Sequence, residues 1–189
     1  SYTTVEAAGK TALPGLIDVH THFGAPGIVM SEGFDQEMAN WPEHAVRSYL
    51  YSGVTAAKSV GDATTDLLKL KGRVASGELL GAELFMTGPL FTAPGGHGTE
   101  YFRNLPEMLR KQYETEMAAA YSNSSEAAAR VDLLSQQGVD GIKVVLESGT
   151  GGALFERLDL NVFDAVARAA KEHKLPVVVH TGNPQDVKD

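Results

Sequence analysis

The chain has 189 residues, 43% of them hydrophobic and 21% charged, the composition of a globular domain with enough apolar material for a core. Its 16 Lys and Arg stand against 24 Asp and Glu, a formal net charge of −8 without a basic patch, which argues against nucleic acid or an anionic membrane surface as a partner. Cysteine is absent, so thiolate metal sites and disulfides are excluded and a metal would have to be held by His, carboxylate or modified Lys; no run reaches the ~18 apolar residues of a membrane span.

In chain order, Pro14-Gly15 is a turn that starts a strand over 16–21, whose Leu-Ile-Asp-Val lead-in has the composition of a short buried strand. Residues 37–51 follow as a helix, with Met38, Trp41, Ala45, Tyr49 and Leu50 near helical spacing, and Gly53 stops it. The β-branched run 54–60 predicts a second strand, and 64–76 a helix carrying Leu67, Leu68, Leu70 and Val74 that Gly77 ends. A third strand is expected over 82–87, then a Gly- and Pro-containing loop over 89–104. Helical residues run, with an interruption, from 105 to 137, capped late by Ser124 or Ser125 and closed by Gly138. Residues 139–146 read as the fourth strand, 161–173 as its helix and 175–180 as the fifth strand, while Asn183-Pro184 forms an N-cap and first-turn pair for a further helix.

Five βα steps in succession predict an α/β fold with a parallel sheet covered by helices, closed as an open doubly wound sheet or as a (β/α)8 barrel. The barrel is favoured because His20, His22, Asp62, His97, Glu147 and His180 all fall at or just beyond the C-terminal ends of expected strands, where barrel sites assemble. No Gly-rich phosphate fingerprint follows the first strand. His20 and His22, two residues apart on an extended segment, project from one face and converge on one point, which suits a metal. Taken alone, the pair reads rather as two polar strand-end residues bonded to neighbouring loops, and the metal reading rests on the residues that accompany it. His44 and His173 lie within expected helices and suit surface or packing roles.

The run Pro14-Gly-Leu-Ile-Asp-Val-His-Thr-His22 resembles the opening of the barrel in the metal-dependent amidohydrolase superfamily. Four further features resemble that family in order: Gly53-Val54-Thr55 with Val60-Gly61-Asp62, then Gly95-Gly96-His97-Gly98, then Gly138 to Val144, then Leu175 to His180. The pattern is similar to the branch containing imidazolonepropionases and Xaa-Pro or Xaa-Arg dipeptidases.

The resemblance implies two divalent metal ions, zinc being expected, bridged by a carbamate that Lys143 forms with carbon dioxide. A lysine facing a barrel interior is costly as an ammonium, and burial frees the neutral amine for that reaction. By resemblance His20, His22 and Lys143 hold the more buried metal, Lys143 and His180 the second, and a metal-bridged hydroxide attacks an amide carbonyl. The family pattern adds a strand-six histidine and a strand-eight aspartate, the latter a metal ligand and general base. Lys58 matches a basic structural position and stays outside the site. His97 either touches substrate or holds its loop, and Tyr101, Arg103 and Arg157 are candidates for meeting a substrate carboxylate.

The resemblance further implies that residues 14–189 are the first five βα units of a longer barrel and residues 1–13 a remnant of a small β-domain. The expected substrate is a small amide, cyclic amide or dipeptide. A half-barrel exposes apolar edges, so a second copy or the missing half of the barrel is the expected partner. With two proposed ligands on later strands, this chain alone is expected to bind metal weakly and to hydrolyse nothing. The alternative is an inert fragment or a non-enzymatic interaction protein of the same fold, against which the joint presence of His20, His22, Lys143 and His180 argues.

Overall fold

Parallel strands alternate with helices along the chain, apart from a direct strand-to-strand passage over 86–90 and a short antiparallel hairpin over 149–154. The computed structural model describes residues 2–24 and 34–188. The elements are β1 (Leu16–Thr21), α1 (Phe34–Tyr51), β2 (Val54–Ser59), α2 (Thr64–Ala75), β3 (Glu83–Met86), β4 (Leu90–Thr92), a 3-10 turn (Thr99–Phe102) and α3 (Glu107–Glu116). They continue with β5 (Ala118–Ala120), α4 (Ser124–Gln137), β6 (Ile142–Leu146), β7 (Gly149–Thr150), β8 (Ala153–Leu154), α5 (Leu160–Glu172), β9 (Val177–Thr181) and α6 (Pro184–Lys188).

β1 pairs with β2 and β2 with β3, all parallel; β4 pairs with β6 and β6 with β9, also parallel. The expected third strand is thus two strands with different partners. Gly88 at φ +70 turns the chain, and Pro89 has no N–H to continue the ladder, so β3 lies on β2 while β4 lies on β6. Met86 and Asp140 bridge the break: Asp140 N–H donates to the Met86 carbonyl at 2.7 Å and Asp140 Oδ2 accepts Met86 N–H at 2.9 Å. Lys71 from α2 pairs with the same carboxylate at 2.6 Å and ties the helix layer to the sheet.

The helical stretch expected over 105–137 is broken more deeply than its alanines suggest. Ala118–Ala120 forms β5 on the free side of β4, with Leu90 N–H donating to Met117 O and Tyr121 N–H to Thr92 O. Ala118 and Ala119 are buried there, so ladder bonds and burial override helix propensity. The cap of α4 is Asn123, whose side chain accepts from Ser125 N and Glu126 N, and neither serine fills that role. Gly138 at φ +90 closes the helix as expected.

Two apolar layers lie between sheet and helices. One joins α1 and α2 to β2 and β3 through Val46, Leu67, Leu70, Leu84 and Met86. The other joins α4 and α5 to β4 and β6 through Phe91, Val131, Leu134, Ile142, Val144 and Val166. In α5, Val162, Val166, Ala169 and Ala170 repeat at helical spacing and are all buried. Each fully buried aliphatic of this kind contributes about 1.5–3 kcal/mol.

β1 is less covered than its composition predicts. It pairs only with β2 among the described residues, and Leu16, Ile17 and Val19 are 64%, 68% and 68% exposed. Residues 2–13, assigned by resemblance to a small β-domain, are exposed and form no strand.

Candidate metal centre

The β1 histidines sit where the strand loses its ladder. The register with β2 shifts between Asp18 and Thr21, and Tyr49 of α1 spans the irregularity, donating to Asp18 Oδ2 at 3.1 Å and lying 2.6 Å from Thr21 Oγ1. Asp18 Oδ1 accepts the His20 N–H at 3.0 Å. The His20 and His22 ring centroids are 5.7 Å apart, edge to face. Beyond His22 the chain is pinned from β2: the buried Asp62 carboxylate accepts Phe23 N–H at 2.8 Å, Gly24 N–H at 2.9 Å and the Ser59 hydroxyl at 2.5 Å. Gly61 precedes it at φ +123, a conformation few other residues adopt, and a Cβ there would lie 2.8 Å from Leu90 and 3.6 Å from His22.

Lys143 lies in the middle of the sheet, opposite Leu90 of β4 and Val178 of β9, and is 3% exposed. Burial, followed by the positive charge of Lys58, pushes its amine below the ordinary lysine range. His20 is likewise pushed down, first by burial and then by the charges of Lys143, His22 and His180. The residues that burden His20 are therefore the other three expected ligands, and the site favours neutral nitrogen on both His20 and Lys143. Lys58 acts from outside this set, its Nζ 3.6 Å from the point where a Cβ on Gly141 would stand.

Glu147 follows β6 directly and belongs to the same end of the sheet. Its side chain is wholly buried, with Oε2 2.9 Å from His180 Nε2 and 3.8 Å from His97 Nδ1. Oε1 is buried with no partner. A Cβ on Gly182 would stand 2.6 Å from Oε1 and 2.8 Å from Cγ, so the carboxylate occupies space that only a glycine leaves open. The His97 ring stacks on His180 at 4.9 Å and packs on Phe155 at 4.8 Å. Its Nδ1 approaches Glu100 Oε1 at 2.8 Å, an ion-pair contact when the ring is protonated but without the alignment of a hydrogen bond. Ligand atoms of His97, Glu147 and His180 all lie within 4.8 Å of one another. Imidazole, carboxylate and amine nitrogen are donors that divalent first-row cations accept, and the buried Glu147 Oε1, which has no hydrogen-bond partner, is one such donor. These residues fit a divalent cation.

Of the residues expected to meet substrate, His97 lies at this cluster and Tyr101 beside it, with ring centroids 6.0 Å apart. Arg103 lines a neighbouring cleft of about 480 Å³ together with Glu100, Arg110, Leu154 and Phe155. Arg157 is engaged elsewhere, with Nε 3.0 Å from the buried Asp186 carboxylate, which holds α6 against the preceding loop. His44 contacts Ser48 and Trp41 within its helix, and His173 lies 2.7 Å from Asp132, tying α5 to α4. Sequence reasoning placed Glu147 at a strand end, opening a polar Gly-rich stretch over 147–152 expected to line the pocket, and gave it no place among the ligands. Its signal was an ionisable residue immediately after the fully buried run Ile142–Leu146.

Imidazoles and a buried carboxylate stand at the C-terminal ends of parallel strands, where barrel sites assemble, with a buried lysine within one of those strands. Solved structures with this fold include a Xaa-Pro dipeptidase with bound methionine in the active site, at 26% identity, TM-score 0.70, 93% of this chain and 45% of that chain. Molinate hydrolase matches at 18% identity and TM-score 0.73 over 93% of this chain and 43% of that one. A prolidase complexed with N-methylphosphonate-L-proline matches at 19% identity and TM-score 0.73 over 98% and 49%. The chain thus spans less than half the length of each. No family model and no curated protein matches the sequence. The chain fits the amidohydrolase superfamily as a partial (β/α)8 barrel and shares its fold with hydrolases.

Proposed function

We propose that the chain is part of a metal-dependent hydrolase that cleaves an amide or cyclic amide bond, as in a dipeptidase or an imidazolonepropionase. The observation that carries this reading is Lys143. It is a lysine buried to 3% exposure in the central strand, its amine held below the ordinary range, with its charge felt by His20 at the end of β1. A neutral amine in that position attacks the carbon of carbon dioxide, forming a C–N bond and releasing one proton to solvent. The product is a carbamate, which carries two oxygens one carbon beyond the amine nitrogen and behaves as a carboxylate on a longer stem. His20 and His22 with Lys143 would hold one divalent ion, and Lys143 with His180 the other. Such ions, zinc in the first instance, polarise an amide carbonyl and lower the pKa of water.

The chain's own residues prepare this site. Partial burial and the neighbouring charges of Lys143, His22 and His180 push His20 below its ordinary value, which favours the neutral ring and its free lone pair. Asp62 fixes the backbone directly after His22. His97 and Tyr101, whose ring centroids are 6.0 Å apart, would stand at the edge of the cluster that a small amide or dipeptide approaches. The exposed apolar row Leu16, Ile17 and Val19 supports association of β1 with a second copy or with the rest of the barrel.

The test is carbamate formation. The chain incubated with isotope-labelled bicarbonate and zinc is expected to give a carbamate carbon signal in NMR that Lys143→Met abolishes, with about two metal ions per chain by elemental analysis. A wild-type protein with neither signal nor metal overturns the reading.

A further inference from the structure

We propose that His97, Glu147 and His180 form a divalent-cation position in their own right, with Glu147 as a ligand and not merely a support for His180. The inference rests on the metal-dependent reading only through His180, which both ligand sets use.

Glu147 has no exposed side-chain surface, and its ion-pair neighbours among the described residues are His97 and His180. His180 Nε2 can satisfy one oxygen, whereas Oε1 remains without a partner. A carboxylate buried with one oxygen unmet and, among the described residues, no lysine or arginine in an ion pair with it is an unbalanced charge, and a bound cation balances it. A cation about 2.0–2.2 Å from each donor separates those donors by roughly 3–4 Å. The observed separations from Glu147 Oε2 are 2.9 Å to His180 Nε2 and 3.8 Å to His97 Nδ1.

The three ligands are also held independently of one another. Glu147 is fixed by β6 and by the space left at Gly182, His180 by β9, and His97 by Glu100, Phe155 and its stack on His180. Two imidazoles and one carboxylate leave further coordination positions open, the arrangement used where a substrate oxygen must reach the ion. The neighbouring cleft of about 480 Å³ shares Glu100 and Phe155 with the residues that hold His97. All three ligands lie within this chain, so the position needs nothing from later strands, contrary to the weak binding expected from the sequence.

The test titrates the metal-free 189-residue chain with Co²⁺, read by visible absorption and by calorimetry. The wild type is expected to bind Co²⁺ at this position whether or not the β1 pair takes a second ion, and the His20→Ala/His22→Ala double variant to bind one Co²⁺. Glu147→Gln and His97→Asn should each weaken binding by more than about 100-fold, beyond the 10- to 100-fold lost when a hydrogen bond supporting a ligand is removed. Circular dichroism confirms folding, and His97 at the partly exposed edge gives a variant that tests the site without disturbing the core. Weakening by less than about 100-fold with an unchanged spectrum in Glu147→Gln assigns Glu147 to support and overturns the inference. So does loss of the ion with the β1 histidines while Glu147→Gln retains it, or a wild type that binds no Co²⁺. The Lys143 carbamate signal is measured separately, so failure of the hydrolase reading is distinguishable from failure of this one.

Discussion

The Asp62 carboxylate at the end of β2 accepts the backbone N–H of Phe23 at 2.8 Å, one residue beyond His22. A second oxygen takes Gly24 N–H at 2.9 Å, so a single buried side chain fixes the path of the chain as it leaves the β1 histidines. Asp62→Ala leaves two backbone donors and the Ser59 hydroxyl without their acceptor. A loss of about 2–4 kcal/mol is expected from unmet buried groups. Urea unfolding measures it, and a change under about 0.5 kcal/mol would show that the loop finds other partners.

The lowered Lys143 amine sets a pH dependence of stability. Its folded value lies below the ordinary 10.5 because burial, then Lys58, disfavours the ammonium. Below the folded value both states carry the proton and the burial penalty is felt in full. Between the folded value and 10.5 the unfolded chain binds more protons, so stability rises with pH. In metal-free, bicarbonate-free buffer the urea midpoint should climb across that window, and Lys143→Met should remove this part of the climb. An identical pH profile in the variant would count against a buried, titrating Lys143.

At Gly182 the expected effect is steric. A Cβ would stand 2.6 Å from Glu147 Oε1 and 2.8 Å from its Cγ, and the carboxylate has no exposed direction in which to move. Gly182→Ala should destabilise by about 1–3 kcal/mol, as overpacking does. It should also shift the NMR resonance of the His180 ring, whose Nε2 faces the same carboxylate at 2.9 Å. An unmoved His180 signal would mean that the two side chains are not coupled.

The apolar row on β1 makes a separate expectation. Leu16, Ile17 and Val19 are each more than 60% exposed on a strand with one paired edge. Such edges promote association. Size-exclusion chromatography with light scattering should show concentration-dependent assembly that Ile17→Lys with Val19→Lys reduces. A wild type that stays monomeric at every concentration would refute it.

Much of the architecture was legible because its signals are local. Gly53, Gly77 and Gly138 mark helix ends through backbone conformation, Asn183 caps the short α6, and the buried faces of α4 and α5 repeat at helical spacing. The split of the third strand was also written locally, in Gly88-Pro89, but which neighbour each half would pair with was not. Ala118–Ala120 carries a helix-forming composition and becomes a strand because β4 offers an unpaired edge across the fold.

The candidate site divides in the same way. The sequence by itself determined that imidazoles and a carboxylate stand at strand ends and a lysine within a strand, since strand periodicity and the apolar runs around Lys143 and His180 are properties of short segments. Only the tertiary structure decided that His180 lies against Glu147, that His97 stacks on His180 from another loop, and that Arg157 is taken by Asp186. Those contacts join residues dozens of positions apart, and they depend on strand order, register and the space left by a glycine such as Gly182, which local pattern does not encode.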